Sequence, residues 1–62
     1  MKNRIRDIRE RSGLSQAALA RRLQISRSYL NRIENGKSNP SITMAVRIAK
    51  ALNVTLNDIF LP

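Results

Sequence analysis

The stretch "LSQAALARRLQISRSYLNRIENG", residues 14–36, carries two apolar stripes separated by three residues that interrupt them. Leu19, Ala20 and Leu23 recur at helical spacing in its first half, Leu30 and Ile33 in its second. The connection Gln24, Ile25 and Ser26 is too short for two helices to run antiparallel with a long overlap. Ala20 also offers a small side chain where the two backbones would cross. Two helices joined in this way suit a helix-turn-helix, although an ordinary helical pair in a small bundle has the same spacing.

Punctuation extends the pattern in both directions. Ser15, Ser26, Ser41 behind Pro40, and Thr55 each stand where a side-chain oxygen would accept an orphan amide at a helix start. Gly13 and the pair Asn35 and Gly36 stand where helices end on a left-handed residue. Further stripes comprise Ile5 and Ile8, and then Ile42, Ala45, Ile48, Ala49 and Leu52. The expected helices are residues 2–12, 16–23, 27–35, 42–52 and 56–60, an all-α five-helix bundle filling one domain, residues 1–62. No period-two run suggests a strand. Tyr29 and Phe60 are the only aromatic residues, so the core must be aliphatic.

A chain of 62 residues buries only about 60% of its unfolded surface, leaving a thin stability margin, and no separate effector domain is expected. Without Cys or His it lacks thiolate metal sites, the commonest metal ligand and the usual general base. Twelve Lys and Arg against four Asp and Glu give a net charge of +8, which attracts polyanions. Nine of the twelve are Arg, favouring forked contacts to phosphate or guanine edges. No apolar run approaches the ~20 residues of a membrane span, and residues 1–11 are too charged for a signal peptide. A soluble, cytoplasmic protein is expected.

The third helix divides into two faces. At about 100° per residue, Leu30 and Ile33 set its buried direction, while Ser28, Asn31, Arg32 and Asn35 lie opposite, with Arg27 at the flank. This outer face has no acid and combines donors and acceptors suited to base edges in a major groove; a solvated surface face would have a similar composition. Glu34 falls roughly 40° from Leu30, on the inner flank. Arg9, four residues after Ile5, likewise occupies an apolar position. Two inward charges of opposite sign suggest one ion pair tying the first helix to the end of the third, because an unpaired buried charge is costly. The alternative is an exposed contact from Glu34 to Ser38.

The run "GLSQAALARRLQISRSYLNRIENGKSNPS", residues 13–41, resembles the helix-turn-helix family of phage repressors and of Cro and Xre-type regulators, and the likeness continues through "IAKALNVTLNDIF". The resemblance implies a lambda-repressor-like, all-α DNA-binding domain that regulates transcription, usually by repression, as a two-fold homodimer with the third helix in the major groove of double-stranded DNA. By position it implies base reading by Arg27, Ser28 and Arg32. It also implies backbone contacts from Gln16, Asn31, Asn35 and Lys37, and an internal ion pair between Arg9 and Glu34. One departure is Gln24, which stands where the family usually has Gly. Either Gln24 accepts a left-handed conformation at a cost of about 1 kcal/mol, or the turn is reshaped. Tyr29, bulky beside the outer face, is expected at the core edge or against sugar-phosphate.

Leu52, Val54, Leu56, Ile59, Phe60 and Leu61 are candidates for the dimer interface, although closing the monomer core would use the same residues. No cofactor or metal is expected, and neither is enzymatic activity. Asp7 and Glu10 lie three apart among Arg4, Arg6 and Arg11, where salt bridging accounts for them. The main rival is an antitoxin-type module that neutralises a protein partner, such as a toxin, while binding its own promoter. A cationic membrane-surface helix fits less well, because short capped segments describe a folded unit and no long amphipathic helix.

Overall fold

Four of the five helices begin on a hydroxyl oxygen. In the computed structural model, which describes residues 2–60, these are α2 (Gln16–Leu23), α3 (Arg27–Glu34), α4 (Ile42–Leu52) and α5 (Leu56–Ile59), following α1 (Ile5–Arg11). Ser15 accepts the Ala18 amide at 3.0 Å, Ser26 that of Tyr29 at 3.0 Å and Ser41 that of Met44 at 3.1 Å. Thr55 and Asp58 close a reciprocal capping box, each side chain accepting the other's amide. All four start sites fall where the sequence placed them.

The ends of α1 to α4 share one device. Gly13, Gln24, Gly36 and Asn53 each adopt positive φ (75°, 58°, 74° and 58°), turning the chain out of the helix. After each, the next amide reaches back to a carbonyl in the last turn: Leu14 to Arg9, Ile25 to Ala20, Lys37 to Arg32 and Val54 to Ala49, at 2.9–3.1 Å. Leu14, Ile25 and Val54 then pack against the core, the apolar contact that usually accompanies this motif. Gln24 therefore accepts the left-handed conformation, and the turn keeps its shape.

The start of α1 differs from expectation. The predicted helix over residues 2–12 begins only at Ile5, because Asn3 engages elsewhere. Its side-chain oxygen accepts the Ile5 amide at 3.1 Å and its amide donates to the Ile33 carbonyl at 2.8 Å. Asn3 and Phe60 also form an isolated antiparallel bridge, next to a 2.7 Å bond from the Arg4 amide to Ile59. Asn is a poor helix-interior residue because its amide competes for backbone partners. Here that competition joins the two ends of the chain and anchors both to α3.

Ile5, Leu19, Leu23, Leu30, Ile33, Ile48 and Ile59 are fully buried, joined by Ala20, Ala49 and Leu52. The core is aliphatic, with Tyr29 and Phe60 at its rim. Each fully buried Leu or Ile contributes about 1.5–3 kcal/mol relative to exposure. Arg47 of α4 donates to the Leu23 carbonyl at 2.7 Å, placing a cation at the carboxyl end of α2 where the helix dipole favours it. Ile42, expected on the inner stripe of α4, is instead 79% exposed, since it sits in the first turn before that helix reaches the core. Among the described residues no helix is long and apolar enough to cross a membrane.

Candidate nucleic-acid interface

α3 is held at a fixed rotation by its buried residues. Leu30, Ile33 and Glu34 face inward, while Arg27, Ser28, Asn31, Arg32 and Asn35 are exposed. With Gln16 at the start of α2, Arg27, Ser28, Asn31 and Arg32 line an open depression of about 460 Å³. The structure thus brings together Gln16 and four of the α3 residues singled out in the sequence. Asn35 lies at the far end of the helix, and Lys37 is exposed in the turn beyond it.

Glu34 is more deeply placed than its flank position suggested. Its side chain has no solvent exposure and is met by four donors. Arg9 Nε and Nη2 reach its two oxygens at 2.8 and 3.1 Å, Gln16 Nε2 reaches Oε1 at 3.2 Å, and Arg6 Nε reaches Oε1 at 3.4 Å. The remaining arm of Arg9, Nη1, donates to the Leu14 carbonyl at 2.9 Å. No buried side-chain nitrogen or oxygen among the described residues lacks a partner. The Arg9 guanidinium is raised further above its already high pKa, chiefly by its hydrogen bond to Glu34, against the opposing effect of burial. The acid is therefore neutralised behind the exposed face, and the contact to Ser38 is not formed by Glu34.

The outer side chains are braced in turn. Arg27 Nε donates to Gln16 Oε1 at 3.4 Å, so Gln16 links the buried carboxylate to the exposed guanidinium. Arg32 Nε donates to Ser38 Oγ at 3.4 Å, and its guanidinium carbon lies 5.7 Å from the centroid of the Tyr29 ring. Tyr29 is half-buried at the edge of the core. Asn35 donates to Asn31 Oδ1 at 3.0 Å and accepts from Arg6 Nη2. Arg6, assigned from the sequence to Asp7 and Glu10, instead touches both Glu34 and Asn35 while its side chain stays 46% exposed. The signal was its position three residues before Arg9, on the same side of α1.

Two other expectations need correction. Leu52 and Ile59 were proposed for a dimer interface but are 6% and 0% exposed, because the closing of α5 over α4 draws them into the core. Val54 and Phe60 are half-buried against that core, Leu56 is exposed, and Leu61 lies outside the described residues. An apolar groove remains at the surface, lined by Pro40, Ile42, Ala45, Leu56, Asn57 and Phe60. Second, Asp7 and Glu10 are exposed, and among the described residues neither forms the expected ion pair. No group of three or more Asp and Glu that could hold a metal occurs among them either.

A short turn on a left-handed residue, a small buried alanine on the helix before it and an acid-free outer face on the helix after it define a helix-turn-helix domain. The helix-turn-helix family profile matches residues 5–59, and the chain belongs to that family. An uncharacterized HTH-type transcriptional regulator of Archaeoglobus fulgidus is 36% identical over 61 residues, covering 98% of this chain and 87% of the relative. The crystal structure of the restriction-modification controller protein C.AhdI from Aeromonas hydrophila superposes with a TM-score of 0.82 at 34% identity, covering 89% of this chain and 83% of that one. SinR, a master regulator for biofilm formation solved in complex with DNA, superposes with a TM-score of 0.77 at 35% identity, with 86% of each chain covered. The family comprises DNA-binding transcriptional regulators and is not enzymatic.

Proposed function

We infer that this chain regulates transcription by binding specific sites in double-stranded DNA, with α3 lying in the major groove and repression as the default outcome. The observation that carries this reading is the placement of Glu34. The one acid of the second helix is turned inward and saturated by donors, so the exposed side of α3 meets phosphate without repulsion. Arg27, Ser28 and Arg32 read bases, while Gln16, Asn31, Asn35 and Lys37 fix register on the backbone. The relatives' description as transcriptional regulators favours this over an antitoxin module. The site of action is DNA in the nucleoid.

One such domain reads few base pairs, so a two-fold homodimer spanning half-sites about 34 Å apart is the working form. Leu56 and Phe60 supply its contact, extended by Ile42. The direct test is titration of the protein against random and selected duplexes over a range of salt. Tight binding to a selected duplex, with log affinity falling linearly in log salt, is expected. Equal affinity for every duplex would remove the claim of sequence specificity, and no affinity would remove the function.

A further inference from the structure

We propose that the reading face is dominated by two free arginine forks, and that each half-site therefore contains two guanines, one for Arg27 and one for Arg32. This rests on the DNA-binding reading above. Every side-chain carbonyl oxygen on the face is already turned onto a donor of the protein: Gln16 Oε1 onto Arg27, Asn31 Oδ1 onto Asn35, and Asn35 Oδ1 onto Arg6. The carboxylate of Glu34 is buried behind them, and α2 and α3 hold no other acid. Only the Ser28 hydroxyl accepts from no protein donor; each amide oxygen keeps a single lone pair.

The amide orientations follow from chemistry. A carboxylate only accepts, so Gln16 must turn its NH2 to Glu34 and its oxygen to Arg27. With one lone pair of each oxygen already taken, Gln16, Asn31 and Asn35 are weaker acceptors than a free amide for the paired contact to adenine N6 and N7. Cytosine N4 meets no carboxylate, and the acceptors left to a base donor are the Ser28 hydroxyl and the second lone pairs of amides already hydrogen-bonded.

The two arginines are prepared for the opposite pattern. Both are held through Nε alone, Arg27 by Gln16 and Arg32 by Ser38, with Arg32 also over the Tyr29 ring. Their terminal amino groups make no hydrogen bond among the described residues, so each presents a free fork. Guanine is the base with two adjacent acceptors, N7 and O6, on its major-groove edge. Thymine and adenine offer one acceptor each.

Selection from random duplexes, followed by anisotropy titration with 7-deazaguanine placed singly at each enriched guanine, tests this. Two guanines per half-site should each lose about tenfold or more in affinity when N7 is removed. Arg27→Ala should abolish the effect at one of them and Arg32→Ala at the other. Enriched half-sites without guanine, or affinities indifferent to 7-deazaguanine because the arginines grip phosphate, overturn the donor-face assignment while leaving sequence-specific DNA binding intact. Failure to enrich any sequence overturns both.

Discussion

Arg9 and Glu34, 25 residues apart, meet as a bidentate pair at 2.8 and 3.1 Å inside a core that is otherwise aliphatic. The pair fixes α1 to the last turn of α3, and through Gln16 it reaches the exposed Arg27. Buried ion pairs contribute little net stability, because desolvating two charges offsets their attraction. Removing one partner is another matter, since it leaves the second charge buried and alone. Arg9→Ala and Glu34→Ala should each cost about 3–5 kcal/mol in urea unfolding. The double substitution Arg9→Met with Glu34→Leu should be more stable than either single alanine variant. Additive losses in a double-mutant cycle, with coupling under about 0.5 kcal/mol, would show that the pair does not act as a unit.

Gln24 holds φ 58° and ψ 41° with its side chain exposed, a conformation that costs a non-glycine residue about 1–2 kcal/mol. Gln24→Gly should raise the thermal midpoint, with a gain of up to about 1 kcal/mol because glycine also loses more freedom on folding. Gln24→Val should lower it. DNA affinity of the glycine variant should stay within about twofold of the parent, as the turn geometry is already the left-handed one.

On the DNA-binding face, two substitutions should separate the two kinds of contact. Arg32→Ala should cost about 1–3 kcal/mol on the selected duplex and relax preference at one base pair. Lys37→Ala should weaken every duplex alike and reduce the salt slope by roughly one. An Arg32→Ala protein that enriches the same site with undiminished preference would dismiss Arg32 as a base reader.

Asp58 titrates in the capping box of α5. The Thr55 backbone amide, and then its hydroxyl, hold the carboxyl below its ordinary pKa. A folded pKa below the unfolded one means the contribution to stability is present above about pH 4 and is lost as pH falls through the folded value. Asp58→Asn should therefore be less stable than the parent at pH 6, with the difference shrinking on acidification. A difference that persists unchanged at pH 2 would show that the carboxylate charge is not what the cap uses.

Ile42 is 79% exposed beside Leu56 and Phe60, and this patch tests the homodimer. Leu56→Lys and Ile42→Lys should shift sedimentation to the monomer and lower operator affinity while leaving the helical signal unchanged. Unaltered sedimentation of both variants would move the dimer contact elsewhere.

Much of this protein is written in short stretches of chain. Ser15, Ser26, Ser41 and Thr55 bond amides three residues away, and the left-handed residues at 13, 24, 36 and 53 close turns within five or six. Such contacts need no distant partner, so the starts of α2 to α5, the ends at Gly13 and Gly36 and the helix-turn-helix were readable from the sequence. The inward rotation of Arg9 and Glu34 was readable too, because a charge at an apolar stripe position has few low-energy options. Assembly decided the rest. Asn3 shortens α1 only once Ile33 and Phe60 have come alongside, 30 and 57 residues later. Leu52 and Ile59 sink into the core while Ile42 stays outside, which depends on how α5 folds back over α4. The direction of the Gln16 amide, and with it the donor character of the reading face, exists only where α2 meets α3, which places a carboxylate on one side of it and a guanidinium on the other.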